Sequence, residues 1–139
     1  MGVTRYLADK SALARLHLEP VRERLEPLIT RGLVSVCAAT EYELLYSAKN
    51  LQDYDRIREV LLPAFPWASM GDDPWEAALR IRRGLAEHGR HRAASMVDLL
   101  LSVVAMQEGL ILLHYDKDFD TIAAVTGQKT EWVVPPGTV

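Results

Sequence analysis

The clearest hydrophobic pattern in the chain is the continuous apolar run at residues 110–113, which ends abruptly in charged residues. Its length predicts a short strand at 111–114, buried on both faces of a sheet. Asp116 and Asp118 follow before helical spacing resumes. Ligand sites of open α/β sheets lie at the carboxyl ends of the strands. Asp116 is therefore a candidate site residue, whereas Asp118 also stands where a helix N-cap is expected.

Residues 5–9 repeat this pattern near the start of the chain. The sequence RYLAD predicts a short strand that ends at Asp9, and helical spacing follows it. Asp9 is thus expected at the same sheet edge as Asp116.

A third buried strand is predicted at residues 33–38, with a helix directly after it. Thr40 is the expected N-cap of that helix and Glu43 its third residue, which is the spacing of a capping box. This box accounts for Glu43 structurally, but a carboxylate in the first helical turn after a strand also faces the carboxyl edge of the sheet. Glu41 is the alternative acid, ranked second.

The helix predicted at residues 95–108 is apolar on nearly all sides, which places it in the centre of the fold. Ser95 as N-cap and Asp98 as the third helical residue form another predicted capping box. The other predicted elements are a helix at 20–31 that Pro27 should kink or interrupt, a helix at 52–62, a helix from Asp73 with Trp75, Ala78, Leu79 and Leu85 inward, and an edge strand at 131–134.

Together these elements predict one α/β domain over residues 1–139. Strands that alternate with helices favour a three-layer sandwich around a central, mainly parallel twisted sheet. The 139 residues, 49% of them hydrophobic, are sufficient for one compact core.

Composition restricts the class of protein further. Sixteen basic and nineteen acidic residues give a net charge of −3, which argues against binding nucleic acid by bulk positive charge but leaves a local nucleic-acid site open. Cys37 is the only cysteine, so a disulfide or thiolate metal site is not expected. No apolar run approaches the roughly 20 residues of a membrane span, and the N-terminus lacks the layout of a signal peptide. We therefore expect a cytoplasmic protein.

The four candidate acids gain significance as a set: Asp9, Glu43, Asp98 and Asp116 all face one edge of the predicted sheet. Carboxylates packed together repel and raise each other's pKa unless a cation neutralises them. Oxygen ligands without histidine or cysteine favour Mg²⁺ or Mn²⁺. These ions commonly serve phosphoryl chemistry, so the expected reaction is phosphodiester hydrolysis.

The most basic segment of the chain is residues 84–92, GLAEHGRHR, directly before the predicted central helix. It is either a solvated connection or a contact for RNA phosphates through Arg90 and Arg92.

These motifs resemble those of the PIN-domain ribonucleases, and specifically the VapC toxins of bacterial toxin-antitoxin pairs. The resemblance spans essentially the whole chain, and its motifs are YLADKSAL, TEYELL, MVDLLLSVVAMQEGL and LLHYDKDFDTIA. It implies a Mg²⁺- or Mn²⁺-dependent endoribonuclease that forms a homodimer and is inhibited by a VapB antitoxin, whose tail lies across the site.

The resemblance also implies roles for individual residues. Asp9 and Asp98 would be principal metal ligands, and Glu43 and Asp116 would complete the site, with Asp116 also a ligand. Ser11 matches a hydroxyl that the family often carries, and Asp118 could assist a second ion. His114 and Tyr115 depart from the family pattern, which often has a small hydroxyl residue there.

Two other functions compete with this interpretation. A phosphoaspartate phosphatase or receiver would need a second acid beside its nucleophile, but Asp9 is followed by Lys10 and Ser11. A PIN-like scaffold without activity could instead help its antitoxin partner bind operator DNA. The sequence does not identify the RNA target.

Overall fold

The computed structural model describes residues 2–139 and places four short parallel strands in one sheet, in the order β2-β1-β3-β4. The strands are β1 (Tyr6–Ala8), β2 (Val34–Ser35), β3 (Ile111–His114) and β4 (Thr130–Trp132). Leu7 lies opposite Ser35 on one side and Leu112 on the other. All carboxyl ends therefore meet at one edge of the sheet.

Within residues 2–139, seven α-helices connect and cover the strands. Their bounds are α1 (Lys10–Leu13), α2 (Glu19–Thr30), α3 (Ala38–Tyr46), α4 (Leu51–Arg56), α5 (Pro74–Glu87), α6 (Met96–Glu108) and α7 (Asp118–Thr126). Helix α4 continues as a π-helical segment (Ile57–Leu61) and a 3₁₀ turn (Leu62–Ala64). Among residues 2–139, no helix is long and apolar enough to cross a membrane.

Two buried cores lie on opposite faces of the sheet. Leu7 and Leu112 pack into the core beneath α5, α6 and α7, whereas Ala8 and Leu113 pack into the core beneath α1 and α2. Successive strand residues point to opposite faces, so β1 and β3 each contribute to both cores. The predicted three-layer α/β fold with a parallel sheet is confirmed.

Several predicted boundaries differ from the structure. Helix α3 begins at Ala38 with Cys37 as its N-cap, so the prediction of Thr40 as cap is wrong. The Thr40 hydroxyl donates instead to the carbonyl of Ala8 at 3.0 Å. Helix α2 runs continuously through Pro27, so the predicted interruption is also wrong.

The inward face of α5 was predicted only in part. Its buried residues are Ala78, Ile81 and Leu85, whereas Trp75 and Leu79 are 53% and 63% exposed. Apolar spacing alone did not distinguish the buried face of this helix from an exposed apolar strip beside it. Cys37 is buried, as expected.

Candidate metal centre

Four aspartates lie at the carboxyl edge of the sheet. The sequence predicted this position for Asp9, Asp98 and Asp116. Asp9 follows the last residue of β1, and Asp116 follows β3 by two residues. Asp98 is the third residue of α6, where Ser95 caps the helix. Asp118 is the first residue of α7.

Asp98, Asp116 and Asp118 form the tightest group. Each offers one carboxylate oxygen, and these oxygens all lie within 4.8 Å of one another. Asp98 is buried, while Asp116 and Asp118 are partly exposed. The group is thus open to solvent on one side, as a site for an exchangeable ion and a substrate must be.

Asp9 lies beside this group and is held by Ser11. Its Oδ2 accepts from the backbone N–H of Ser11 at 2.9 Å and from the Ser11 hydroxyl at 2.5 Å. Burial raises the pKa of the Asp9 carboxyl above its ordinary value, the Ser11 hydrogen bonds oppose that increase, and the charge of Asp116 adds to it. Asp9 is therefore electrostatically coupled to the cluster.

The pKa of Asp98 is also raised above its ordinary value. Burial raises its pKa to about 6, and the negative charges of Asp9 and Asp116 contribute, against hydrogen bonds from Ser95. Only 9% of Asp98 is exposed. A cation placed among these carboxylates would favour their ionised forms and remove this repulsion.

Asp118 does not have the role that its sequence position suggested. The structure makes Lys117 the residue before the first turn of α7, so the prediction of Asp118 as N-cap is wrong. Asp116 supplies the acceptor instead, because its Oδ1 accepts the backbone N–H of Asp118 at 2.9 Å. Partial burial and the charge of Asp116 raise the pKa of Asp118.

His114, which was assigned no role from the sequence, is buried beside Asp116. Its Nδ1 accepts the backbone N–H of Asp116 at 3.1 Å. Burial lowers the pKa of His114 to about 4, so the imidazole is neutral near pH 7. A histidine at the end of a buried strand was the only sequence signal for this contact.

Glu43 is not part of the group of three aspartates. Helix α3 starts earlier than predicted, which makes Glu43 its sixth residue and places it in the second turn. Its side chain is partly exposed. The assignment of Glu43 to the site stays a prediction.

Arg90 and Arg92 lie in the connection between α5 and α6, and both are exposed. The Nη2 of Arg90 donates to the hydroxyl of Thr121 at 3.4 Å. Arg82, which the sequence did not single out, fixes this connection by donating from Nη1 to the carbonyls of His91 and Ala94 at 2.5 and 2.8 Å. The connection is therefore tethered to both α5 and α7.

The donor set is suited to a hard divalent cation. Three convergent carboxylates supply oxygen ligands only, which Mg²⁺ and Mn²⁺ prefer over the softer ligands that zinc tolerates. Burial, and after it the negative charges of Asp9 and Asp116, raise the pKa of Asp98, so its ionised form is unfavourable here without a counter-charge. The residues present thus fit such an ion.

Comparison with known proteins agrees with the fold. Residues 6–125 match the PIN domain family. The chain therefore belongs to the PIN-domain family.

Its curated relatives specify the branch of that family. The chain is 43% identical to Ribonuclease VapC21 of Mycobacterium tuberculosis over 135 residues, which cover 97% of this chain and 98% of that protein. It is 41% identical to Ribonuclease VapC51 of the same organism, with 97% of each chain covered. This similarity places it with the VapC ribonucleases.

The fold has close counterparts among solved structures. A chain in the crystal structure of DNA-bound VapBC from Salmonella typhimurium superposes with a TM-score of 0.75, covering 95% of this chain and 100% of that one. The two are 17% identical, so this likeness shows the shared fold alone.

Proposed function

We propose that this protein is a Mg²⁺- or Mn²⁺-dependent endoribonuclease that acts in the cytoplasm as the toxin of a toxin-antitoxin pair. The observation that carries the proposal is the convergence of Asp98, Asp116 and Asp118 at the carboxyl edge of a PIN fold. The 43% identity to a protein named as a ribonuclease supports RNA as the substrate. Membership of the PIN-domain family accounts for the strand-end acids without a phosphoaspartate mechanism.

Asp9, Asp98 and Asp116 are the proposed ligands of the ion, and Asp118, whose carboxylate converges with those of Asp98 and Asp116, would also contribute an oxygen. Glu43 remains the predicted acid on the α3 side. An ion bound there would polarise a water molecule and the scissile phosphate, as hydrolysis requires.

The chain itself supplies positioning and a contact for the polyanion. Ser11 links two strand ends, because its hydroxyl donates to Asp9 and accepts the backbone N–H of Tyr115 at 2.8 Å. Arg90 and Arg92 are exposed in the connection before α6, the helix that carries Asp98. Their guanidinium groups are suited to hydrogen bonds with phosphate oxygens. We assign these two arginines to RNA binding and not to the metal.

The partner of the protein would be a VapB-like antitoxin. VapBC complexes from Salmonella typhimurium and from Haemophilus influenzae share this fold. We further propose a homodimer, which the resemblance to VapC toxins implies. Sedimentation of the purified protein at several concentrations tests the dimer, and a monomer at all of them would contradict it.

The direct test is RNA cleavage by the purified protein with Mn²⁺ or Mg²⁺ and with EDTA. Replacing Asp98 by Asn preserves the volume and the acceptor that receives the Ser95 N–H, but removes the charge that holds the ion. We expect the Asp98→Asn variant to lose roughly 100-fold or more of its activity, on the scale of removing one key transition-state contact.

The matched control is Asp55→Asn, because Asp55 is exposed on α4 and lies outside the cluster. It should cleave RNA like the wild type. Full cleavage in EDTA, or by the Asp98→Asn protein, would contradict the proposed function.

A further inference from the structure

Within residues 2–139, the imidazole of His114 makes one hydrogen bond, and that bond determines its tautomer. The backbone N–H of Asp116 donates to its Nδ1 at 3.1 Å. A backbone amide nitrogen can only donate, so Nδ1 must be free of a proton. The neutral ring therefore carries its proton on Nε2.

That proton has no acceptor among the described residues. The Nε2 atom is buried and lacks a hydrogen-bond partner, and none of the side chain is exposed. The ring packs between Phe119 and Trp132, with both centroid distances 5.0 Å. Burying an unpaired donor is unfavourable, so packing alone does not explain why this position holds a histidine.

The hydrogen bond to Asp116 is part of a set that fixes the turn between β3 and α7. The backbone N–H of Tyr115 donates to Ser11 Oγ at 2.8 Å, and that of Asp118 donates to Asp116 Oδ1 at 2.9 Å. His114 supplies the acceptor for the amide between them. Three side-chain acceptors thus hold the backbone that carries two of the clustered carboxylates.

We propose that His114 is a positioning residue for the metal centre: its Nδ1 fixes the backbone of Asp116 so that the carboxylates of Asp116 and Asp118 converge on Asp98. This inference rests on the proposed function, because it assumes that the three aspartates hold an ion. His114 itself does not coordinate the ion, since its one available lone pair is occupied by the amide of Asp116.

A residue that only fills the core would behave differently. Leucine is apolar and of comparable size, and it brings no unpaired donor into the interior. If His114 serves packing alone, His114→Leu should leave metal binding unchanged. If His114 positions Asp116, the same substitution should weaken metal binding even where the protein stays as stable as the wild type.

Two amide variants separate the two ring nitrogens. In His114→Asn the side-chain oxygen is attached to Cγ, as Nδ1 is, and can accept the Asp116 N–H. In His114→Gln the amide lies one carbon further out, toward the place of Nε2. Asparagine should therefore rescue the positioning function, and glutamine should not.

The experiment measures Mn²⁺ affinity by calorimetry on the full-length wild type and the Leu, Asn and Gln variants, with melting temperatures in EDTA. We expect the Leu and Gln variants to bind Mn²⁺ 10- to 100-fold more weakly, the usual effect of removing a group that orients a metal ligand. The Asn variant should stay within about threefold of the wild type, well below the 10- to 100-fold loss expected for the other two. Nitrogen NMR of the wild-type ring should show the proton on Nε2.

Each outcome decides between the alternatives. Equal Mn²⁺ affinity in all four proteins, or a ring proton on Nδ1, overturns the role of His114. Should the Leu variant fail to fold, equal affinity of the Asn and Gln variants overturns it. No Mn²⁺ binding by the folded wild type would instead overturn the proposed metal-dependent function.

Discussion

One carboxylate of Asp98 both caps its helix and belongs to the three-aspartate cluster. Its Oδ2 accepts the backbone N–H of Ser95 at 3.1 Å, and its own N–H donates to Ser95 Oγ at 3.2 Å, which completes the capping box. The same group contributes an oxygen to the three-aspartate cluster. The structural and functional explanations of this residue, which the sequence left as alternatives, are compatible in the structure.

The raised pKa of Asp98 predicts how its effect on stability depends on pH. The folded-state pKa of Asp98, about 6, lies above the ordinary value of 3.8, so between these pH values the folded protein holds a proton on Asp98 that the unfolded chain has lost. The stability of the protein therefore decreases as the pH rises through this range. The full effect above pH 6 is on the order of 3 kcal/mol, from about 1.4 kcal/mol per pH unit.

The Asp98→Asn variant should therefore melt close to the wild type near pH 4 and above it near pH 7 in EDTA. Thermal melts across this pH range measure the difference. Asp118→Asn should show a smaller effect of the same sign, because Asp118 is more exposed. A lower melting temperature of Asp98→Asn at every pH would mean that its capping bond outweighs the repulsion.

The connection between α5 and α6 carries exposed basic side chains and leads into the helix that bears Asp98. Arg82 holds the carbonyls of His91 and Ala94, and this fixes the path that leads into Ser95 and α6. Arg90 and Arg92 remain exposed along this path. Their guanidinium groups are thus displayed on an ordered backbone.

Replacing both Arg90 and Arg92 by Ala should weaken RNA binding and leave Mn²⁺ affinity unchanged. Loss of two phosphate contacts should reduce the slope of log affinity against log salt by roughly 1 to 1.5 for single-stranded RNA. Binding titrations at several salt concentrations measure this slope.

The control for this variant is the double replacement of Arg5 and Arg31 by Ala. Both are exposed, precede β1 and β2 respectively, and so lie at the opposite edge of the sheet. The control has the same change in net charge. Equal salt slopes in the two double variants would assign residues 90 and 92 to solvated surface.

At the scale of the whole molecule, the fold brings the aspartates together whether or not an ion is bound. Strands β1 and β3 end, and helices α6 and α7 begin, at one sheet edge, and their backbone positions are set by the two cores. The ion-free protein therefore retains the repulsion of the cluster, and an ion that binds only the folded state must stabilise it.

Mn²⁺ at a hundredfold excess over its dissociation constant should stabilise the protein by about 2.7 kcal/mol. For a chain of this length that corresponds to a rise in melting temperature of roughly 6–10 °C. Calorimetric melts with Mn²⁺ and with EDTA measure the shift, and Asp98→Asn should show a smaller one. A wild-type melting temperature that does not respond to Mn²⁺ would count against a metal site.

The sequence by itself determined the features that depend on neighbouring residues. The apolar run before His114 predicted β3, and the Ser95–Asp98 spacing predicted the start of α6, because strand burial and capping bonds involve residues only a few positions apart. The parallel order of the elements also followed, since strands that alternate with helices form parallel sheets.

The tertiary structure alone decided which acids meet. The hydroxyl of Thr40 bonds to Ala8 in β1, a contact between residues 32 positions apart, and α3 begins at Ala38. Glu43 therefore lies three residues deeper in its helix than predicted, about 4.5 Å along the axis. Asp118, expected as a cap or as an aid to a second ion, is not a cap and joins Asp98 and Asp116. Distances between carboxylates depend on how whole elements pack, and no local pattern contains that information.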